Sequence, residues 1–402
     1  MVELVRDERL IVAAMEKGAA AKDAVRRAVS GPEPERTFHG MNVCVRGEHP
    51  GRTWLQNALA ERRAMRNWPK GYSRDVILTI EITDKCTLRC DHCFAEAGPE
   101  NNTFIDAARV EGIARECEEI FPRYGERLIR ITGGDPFLHP QMFEIIESFS
   151  GRKEKLGYYS LEVETNGWWA RDAKTAAAYV ARLKESRVDL LSMTMDYLHC
   201  KQGVFDIHEH FRTIERESDR AGLRFRDILA GGGSHHPDEK TARELAEHRK
   251  TCKACHGLPH VTPIGRAREM PEENWGSYEL SGCCTRGCRL TPPTFISEVG
   301  DKYVHMDELT IGPNGNVYPC NSGKQFEHAS LAMGNVYESP LRAIVENPDN
   351  ELIDLLRTEG LRALTRRAGL SPRQHWALYW KMTPCGLCHE VLRTRGKEAR
   401  GE

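Results

Sequence analysis

The sequence predicts an α/β protein built on a parallel sheet, with a mainly helical segment before the sheet and a hairpin-plus-helix region after it. Strand-like and helix-like segments alternate from residue 76 to residue 222. This alternation indicates βαβ units with right-handed crossovers. The chain of 402 residues is long enough for two or three domains. We predict three regions, 1–72, 73–270 and 271–402.

Charge and hydropathy exclude several classes of protein. The chain has 57 basic and 59 acidic residues, a net charge of −2, whereas dedicated nucleic-acid binders carry a basic surplus. No apolar run reaches the roughly 18 residues that a membrane helix needs, and the start, MVELVRDERL, lacks the apolar core of a signal peptide. We therefore expect a cytoplasmic protein that binds neither nucleic acid nor membrane.

The individual elements follow from local patterns, in chain order. Region 1–72 contains two runs of good helix formers, which stop at Gly31-Pro32 and before Pro69. In region 73–270, β-branched residues indicate the strands, and apolar residues at helical spacing indicate the helices. The predicted strands are 76–83, 128–132, 159–165, 190–195 and 260–265. The predicted helices are 105–120, 140–150, 172–186, 204–222 and 238–250.

Region 271–402 follows a different pattern. The segment LTIGPNGNVYPC predicts a hairpin that turns at Asn314-Gly315, because Asn-Gly is the strongest short turn signal. Helices are predicted after it, over 338–347, 350–369 and 372–381.

The 14 cysteines indicate metal or redox chemistry, because cytoplasmic thiols stay reduced and disulfides are rare there. Three of them form a tight triplet, Cys86-Thr-Leu-Arg-Cys90-Asp-His-Cys93, in the loop after the first strand. Ligands of parallel α/β sheets bind at that edge. Three thiolates on one loop can hold three irons of a [4Fe–4S] cluster and leave the fourth iron open to substrate or cofactor. A zinc site completed by His92, and plain structural thiols, remain as alternatives.

The spacing Cys86-x3-Cys90-x2-Cys93 after a first strand resembles the signature of the radical S-adenosylmethionine (radical SAM) enzymes. Four further motifs resemble those of that family in order and spacing: Ile131-Thr-Gly-Gly-Asp-Pro136, Glu164-Thr-Asn-Gly167, Met193-Thr-Met-Asp-Tyr-Leu-His199 and Pro263-Ile-Gly-Arg-Ala267. The first of these has Asp135 where the family usually has Glu. The resemblance covers residues 75–270 and implies a partial (β/α)6 TIM-like barrel over region 73–270.

In such enzymes the open iron binds the amino and carboxylate groups of S-adenosylmethionine, and one electron from the reduced cluster yields a 5′-deoxyadenosyl radical that abstracts a substrate hydrogen. The resemblance implies a one-electron reductant, such as flavodoxin or ferredoxin, as a partner. It also implies a set of cofactor-binding residues: Gly133, Gly134, Asp135, Asn166, Thr194, Asp196 and Arg266. Glycine suits a close backbone approach because it lacks a Cβ. For Thr194 and Asp196, a strand-end hydrogen bond to the backbone is the alternative.

The cysteines of region 271–402 resemble those of the auxiliary-cluster extensions called SPASM and twitch domains. The spacing Gly315-x4-Cys320, followed by Cys385-x2-Cys388, carries this resemblance. No cysteine follows Cys388, which favours the twitch arrangement with one auxiliary [4Fe–4S] cluster. Its implied ligands are Cys320, Cys385, Cys388 and one of Cys283, Cys284 or Cys288, of which we favour Cys288. Cys252 and Cys255, with the members of the 283–288 group that the auxiliary cluster leaves unused, could hold a further metal, with a zinc knuckle as the alternative.

The resemblance leaves the substrate open. A peptide that is oxidised, cross-linked or epimerised is the first expectation, as in ribosomal-peptide maturation. A sugar or aminocyclitol, oxidised or epimerised in antibiotic biosynthesis, is the second, and a non-catalytic iron–sulfur electron carrier is the third. Cys200, after the fourth strand, is a candidate hydrogen-atom donor for epimerisation, with a buried structural thiol as the alternative. We expect His208 and His210 to be solvated.

Overall fold

The computed structural model divides the chain into two units, Met1–Tyr72 and Ser73–Glu402, and all described residues lie in the second. The described residues are 76–120, 127–155, 159–228, 239–251, 265–271, 308–320, 331–346, 350–358, 361–371, 374–375, 378 and 386–392. The two helices expected in region 1–72 therefore lie outside the described residues.

A sheet of eight strands forms the centre of the described part of the chain. The strands are β1 (Val76–Glu81), β2 (Arg127–Thr132), β3 (Ser160–Thr165), β4 (Leu190–Met193), β5 (Arg224–Asp227), β6 (Glu308–Ile311), β7 (Asn316–Tyr318) and β8 (Gly334–Asn335). Their spatial order is β5-β4-β3-β2-β1-β6-β7-β8. Strands β1 to β6 pair in parallel, and β7 and β8 add antiparallel. The open parallel sheet confirms the predicted fold class, that of a partial barrel.

The helices follow the strands as βαβ units require. They are α1 (Ala107–Ile120), α2 (Met142–Ser150), α3 (Ala173–Glu185), α4 (Tyr197–Cys200), α5 (Ile207–Ala221), α6 (Glu239–Thr251), α7 (Leu341–Glu346), α8 (Glu351–Thr358) and α9 (Leu361–Arg367). Asp172 and Asp206 accept hydrogen bonds from the first free backbone N–H groups of α3 and α5. Helix α5 ends at Gly222, whose left-handed φ of 64° suits glycine. Among the described residues, no helix combines the length and apolarity needed to cross a bilayer.

The two faces of the sheet differ in chemistry, because successive residues of a strand point to opposite sides. One face is apolar and belongs to the hydrophobic core, with Ile80, Ile131 and Val163 fully buried. The other, which we call the polar face, carries charged and hydroxyl side chains that the strand register places side by side: Thr79, Arg130, Glu162, Glu164, Ser192 and Arg226. Glu162 is fully buried there and pairs with both arginines.

Strand β5 is one of the elements that the sequence pattern missed, together with the short helix α4 and strand β8. Its four residues, RFRD, show neither the apolar alternation nor the β-branched content that predicts a strand. It forms because Arg226 pairs with Glu162 and donates to the Ser192 hydroxyl, which are contacts between strands. The predicted strand 260–265 lies outside the described residues except for Gly265, which begins a 3₁₀ turn, Gly265–Glu269.

The hairpin predicted in region 271–402 is confirmed. Strands β6 and β7 pair antiparallel, and the turn between them contains Gly315 with a left-handed φ of 84°. The helix predicted over 350–369 corresponds to α8 and α9, which lie on either side of 359–360. Most of the helix predicted over 372–381 lies outside the described residues.

Candidate active site

The three cysteines Cys86, Cys90 and Cys93 lie in the loop between β1 and α1, here called the thiol loop (residues 83–104). Two isolated bridges, Thr83 with Phe104 and Lys85 with Gly98, hold its two arms together. Cys86 and Cys90 are buried, and Cys93 is half-buried. The loop therefore gathers three shielded thiols at the carboxyl edge of the sheet.

The burial of these thiols limits which metal centre they can bind. Burial raises the pKa of Cys86 to about 12, with the Asp135 charge adding to the effect, and burial also raises the pKa of Cys93. Thiolates in such a setting need a cationic partner, because an unpaired buried charge is costly. A zinc ion with Zn–S bonds of about 2.3 Å would need its donors roughly 4 Å apart. The described donor atoms that lie within 4.8 Å of one another are those of Cys90, His92 and His199, a group that leaves out two of the three thiols, so a polynuclear iron–sulfur cluster accounts for the triplet better.

The glycine turn after β2 packs directly against the thiol loop. Gly134 N donates to Thr83 O at 2.6 Å, and Asp135 N donates to Lys85 O at 2.8 Å. A Cβ on Gly133 would lie 2.4 Å from Thr83 O, and a Cβ on Gly134 would lie 2.1 Å from Lys85 O. Only glycine permits this approach, so the turn holds the backbone that leads into Cys86.

Asp135 organises the ends of β2 and β3. Its fully buried carboxylate accepts from Phe137 N at 3.0 Å, Thr165 Oγ1 at 2.7 Å, Asn166 N at 2.9 Å and Trp168 Nε1 at 3.3 Å. Burial raises the pKa of Asp135 to about 6, although these hydrogen bonds oppose the shift. Both oxygens already accept from protein donors, so Asp135 acts by holding the two strand ends together.

Asn166 continues this arrangement toward the thiols. Its Nδ2 donates to Cys86 Sγ at 3.4 Å and to Thr87 Oγ1 at 3.2 Å, while its Oδ1 accepts from Trp168 N. Asn166 is itself buried. The end of β3 therefore provides a neutral hydrogen-bond donor to the first thiol.

Asp196 and His199, which follow the end of β4, form a second polar group beside the thiol loop. Asp196 is buried and caps the short helix α4, accepting from His199 N at 3.1 Å and from His199 Nδ1 at 2.7 Å. A ring nitrogen of His199 also lies within 4.8 Å of Cys90 Sγ. Burial alone would raise the pKa of Asp196, but the His199 charge outweighs it and lowers that pKa to about 2. Burial likewise opposes the charged form of His199, but Asp196 raises the pKa of His199 well above its usual range.

His92 lies beside this pair, with its ring edge-on to that of His199 at 4.7 Å between centroids. Burial lowers the pKa of His92 to about 4. Donor atoms of Cys90, His92 and His199 lie within 4.8 Å of one another. A zinc ion could bind these three donors, although that site would leave out Cys86 and Cys93.

Arg266, in the 3₁₀ turn Gly265–Glu269, hydrogen-bonds the thiol loop. Its Nε donates to Cys90 O at 2.9 Å, its Nη2 to Ala97 O at 2.6 Å, and its backbone N to Cys93 O at 3.2 Å. The guanidinium charge also opposes the rise of the Cys93 pKa. The predicted cofactor residue Arg266 thus contacts the thiol loop itself.

The remaining predicted residues near β4 have mixed outcomes. Thr194 is half-buried, and its backbone N donates to Thr165 O at 3.4 Å. Cys200 is half-buried, with its sulfur 3.5 Å from His208 Nε2. His210, predicted to be solvated, is buried, and its Nδ1 bonds Gly167 O at 2.8 Å, so that prediction is wrong.

The structure describes two of the predicted auxiliary ligands. Cys320 is half-buried just after β7, and Cys388 is buried within the helical segment 386–392. Cys385 and Cys288 lie outside the described residues, as do Cys252, Cys255, Cys283 and Cys284.

Two family profiles match the chain. Residues 80–262 match the Radical SAM superfamily, and residues 303–368 match the iron–sulfur cluster-binding domain named SPASM. A GTP 3′,8-cyclase from Brucella ovis is 28% identical over 145 residues, which are 35% of this chain and 37% of that relative. The chain thus spans little more than a third of the length of the curated relatives that it matches.

Solved structures show more distant likeness. The structure of anSMEcpe with bound AdoMet (S-adenosylmethionine) is 14% identical, with 81% of this chain and 98% of that chain covered and a TM-score of 0.46. BtrN in complex with AdoMet and 2-DOIA is 13% identical, with 72% and 87% covered and a TM-score of 0.39. Streptococcus suis SuiB bound to its precursor peptide SuiA is 13% identical, with 93% and 89% covered and a TM-score of 0.35.

The two matched families follow one another along the chain in the order that the cysteine motifs predict, and the three shielded thiols lie within the first match. Residues 80–262 therefore form a radical SAM domain, which binds a [4Fe–4S] cluster and S-adenosylmethionine, and an iron–sulfur cluster-binding SPASM domain follows it over residues 303–368.

Proposed function

We propose that this radical SAM enzyme is a maturase that oxidises, cross-links or epimerises a peptide. The observation that carries the proposal is the thiol loop with Cys86, Cys90 and Cys93 at the carboxyl edge of the sheet, followed along the chain by an iron–sulfur cluster-binding domain. When bound, the cluster and S-adenosylmethionine supply a 5′-deoxyadenosyl radical that takes a hydrogen atom from the substrate.

The residues around the thiol loop divide into two proposed roles. Gly133, Gly134 and Thr194 are proposed to border S-adenosylmethionine, because they directly follow β2 and β4 at the carboxyl edge of the sheet, where ligands of parallel α/β sheets bind. Four polar residues are proposed to position the thiol loop, because each hydrogen-bonds the loop, the ends of β2 and β3 or the short helix α4. They are Asp135, Asn166, Asp196 and Arg266.

The auxiliary cluster is proposed to bind through Cys320, Cys385, Cys388 and Cys288. When bound, it supplies an acceptor for the electron that a net two-electron oxidation of the substrate releases. A flavodoxin-like or ferredoxin-like protein is proposed as the external one-electron reductant. We retain 1–72, 73–270 and 271–402 as the proposed domain boundaries.

A small polar molecule is the second candidate substrate, and the polar face of the sheet favours it. Arg130 pairs with Glu164 at 2.8 Å, and Glu162 pairs with Arg226. Such a row of paired charges offers donors and acceptors to a hydroxylated or amino-substituted substrate, such as a sugar or aminocyclitol.

The experiment that separates the two substrates uses deuterium transfer. The enzyme, loaded with cluster and reduced with dithionite, is incubated with S-adenosylmethionine and a deuterated extract of the native host. Mass spectrometry then reports deuterium in 5′-deoxyadenosine. We expect transfer that is lost when the extract is first digested with protease. Transfer that survives digestion would replace the peptide by a small molecule.

The thiol assignment is tested in parallel. Cys86→Ala, Cys90→Ala and Cys93→Ala are each expected to abolish cleavage of S-adenosylmethionine. Cys117→Ala is the matched control, because Cys117 is a fully buried cysteine on α1, outside the thiol loop. A wild-type protein that holds iron and sulfide but cleaves no S-adenosylmethionine would instead be the non-catalytic electron carrier.

A further inference from the structure

A hydrogen bond from Asp106 joins the end of the thiol loop to the SPASM domain. Asp106 N, two residues beyond the loop, donates to the Tyr337 hydroxyl oxygen at 2.9 Å. Asp106 also caps α1, because its carboxylate accepts from Ala108 N at 2.9 Å. Tyr337 therefore bonds the backbone at the point where the thiol loop ends and α1 begins.

The hairpin turn of the SPASM domain sets the position of the Tyr337 side chain. Tyr337 N donates to Asn335 Oδ1 at 2.9 Å, and Val336 N donates to Gly315 O at 2.9 Å. A Cβ on Gly315 would lie 2.4 Å from Tyr337 Cδ2, so the ring packs directly on the backbone of the turn. The residue is 50% exposed, so the turn, rather than a surrounding core, fixes where the hydroxyl lies.

Two side chains of α1 hold the same segment independently of the tyrosine hydroxyl. Arg109 Nε donates to Val336 O, and Arg109 Nη1 is 2.8 Å from Glu116 Oε1. Glu116 Oε2 accepts from Leu341 N, at the start of α7. Hydrogen bonds to charged groups such as these are stronger than those between neutral groups. Removal of the tyrosine hydroxyl should therefore leave the segment attached to α1.

The bond at Asp106 acts on the cysteines through the paired arms of the thiol loop. Asp84 N donates to Thr103 O at 3.2 Å, and Asp84 Oδ1 accepts from Thr103 N at 2.7 Å. Thr83 Oγ1 also donates to Thr103 O, at 2.8 Å. Cys86 follows Asp84 by two residues. An anchor on the second arm therefore also restrains the arm that carries the first thiol.

We propose that Tyr337 is a positioning residue for the radical SAM site: its hydroxyl anchors the second arm of the thiol loop and keeps the loop in the conformation that binds S-adenosylmethionine. The inference rests on the proposed role of Cys86, Cys90 and Cys93 as ligands of the cluster. The apparent affinity of a ligand falls with the fraction of the protein that is in the binding conformation. The SPASM domain thus has a second task besides cluster binding, which is to brace the thiol loop.

The test removes the hydroxyl and keeps the ring. Tyr337→Phe leaves the packing on the Gly315 turn intact. Tyr318→Phe is the matched control, because the Tyr318 hydroxyl accepts from Asn316 Nδ2 at 3.3 Å within strand β7 of the same domain. Hydrogen–deuterium exchange of each holoenzyme is followed by mass spectrometry on the peptide that spans residues 100–110. The KM and kcat for S-adenosylmethionine are then measured in reductive cleavage without substrate.

We expect Tyr337→Phe to exchange faster in this peptide and to raise the KM for S-adenosylmethionine roughly fivefold, as the loss of one hydrogen bond predicts, while kcat stays near the wild-type value. Tyr318→Phe should match the wild type in both measurements. Unchanged exchange or an unchanged KM in Tyr337→Phe overturns the inference, as does an equal rise of KM in Tyr318→Phe, and the proposed function then stands. Wild-type cleavage by Cys86→Ala overturns the role of that cysteine, and with it both proposals.

Discussion

Gly134 lies where the turn after β2 meets the backbone of the thiol loop, and its replacement by alanine tests how the site is held. The new Cβ would lie 2.1 Å from Lys85 O, 2.5 Å from Lys85 C and 2.8 Å from Asp84 O. All three neighbours are backbone atoms, so no side chain can rotate away. The two segments would have to separate until the contact with Lys85 O reached at least 3.4 Å.

The cost can be estimated from what that separation breaks. Overpacking of this kind destabilises by roughly 1–3 kcal/mol. The hydrogen bonds Gly134 N to Thr83 O and Asp135 N to Lys85 O would lengthen, and each contributes about 1 kcal/mol. A loss of about 3 kcal/mol corresponds to a fall in melting temperature of roughly 6–12 °C for a domain of this size. Because Lys85 directly precedes Cys86, iron loading should fall as well.

The assay is a thermal melt of the metal-free protein together with an iron count after reconstitution. Gly222→Ala is the matched control, because Gly222 has a left-handed φ of 64° and no atom within 4 Å of the added Cβ. It should cost about 1 kcal/mol from backbone strain and leave iron loading intact. A Gly134→Ala protein with wild-type melting temperature and iron content would refute the contact that we describe.

Substitutions at three further residues test the site and the helices around it. Because burial raises the pKa of Asp135 from 3.8 to about 6, its contribution to stability is present below pH 3.8 and is lost as the pH rises through about 6, by up to about 3 kcal/mol. Asp135→Asn should remove this slope in denaturant melts between pH 4.5 and 7.5, and an unchanged slope would contradict the assignment. Arg266→Leu loses the hydrogen bonds to Cys90 O and Ala97 O, so an iron chelator should remove iron from the variant severalfold faster than from the wild type. Equal rates would show that these hydrogen bonds do not hold the thiol loop. Asp206→Ala should cost about 1 kcal/mol in urea melts as a lost helix cap and Asp206→Asn nearly nothing, whereas equal losses would exclude capping.

The thiol loop was predictable from sequence because its geometry is local. The spacing of Cys86, Cys90 and Cys93 and the strand before them are properties of neighbouring residues. The hairpin turn at Gly315 was predictable for the same reason, since its φ of 84° is a demand on a single residue. A structural requirement that falls on neighbouring residues can be recognised from the sequence of those residues.

The partners of the site were not predictable, because they depend on residues distant in sequence. His199 lies near Cys90 but comes from the end of another strand, and the motif that contains it, Met193 to His199, does not predict that the two residues lie together. His210 was expected in solvent from its polar character, but the Gly167 carbonyl provides it with a buried hydrogen bond. Strand β5 depends in the same way on Glu162, whose charge Arg226 offsets. Tertiary pairing of this kind overrides local propensity.

The parallel pairing of β6 with β1 has a consequence for how the two sets of cysteines communicate. Thr310 lies level with Thr79, and Tyr318 lies level with Thr310, so the hairpin strand β7 runs back toward the amino end of β1. Cys320 therefore leaves the sheet near the end where β1 begins, whereas Cys86 leaves it where β1 finishes. At about 3.3 Å of rise per residue, the two thiols are separated by much of the depth of the sheet. An electron that passes from a substrate at the carboxyl edge to a centre that Cys320 helps to hold would therefore have to cross this depth of the sheet.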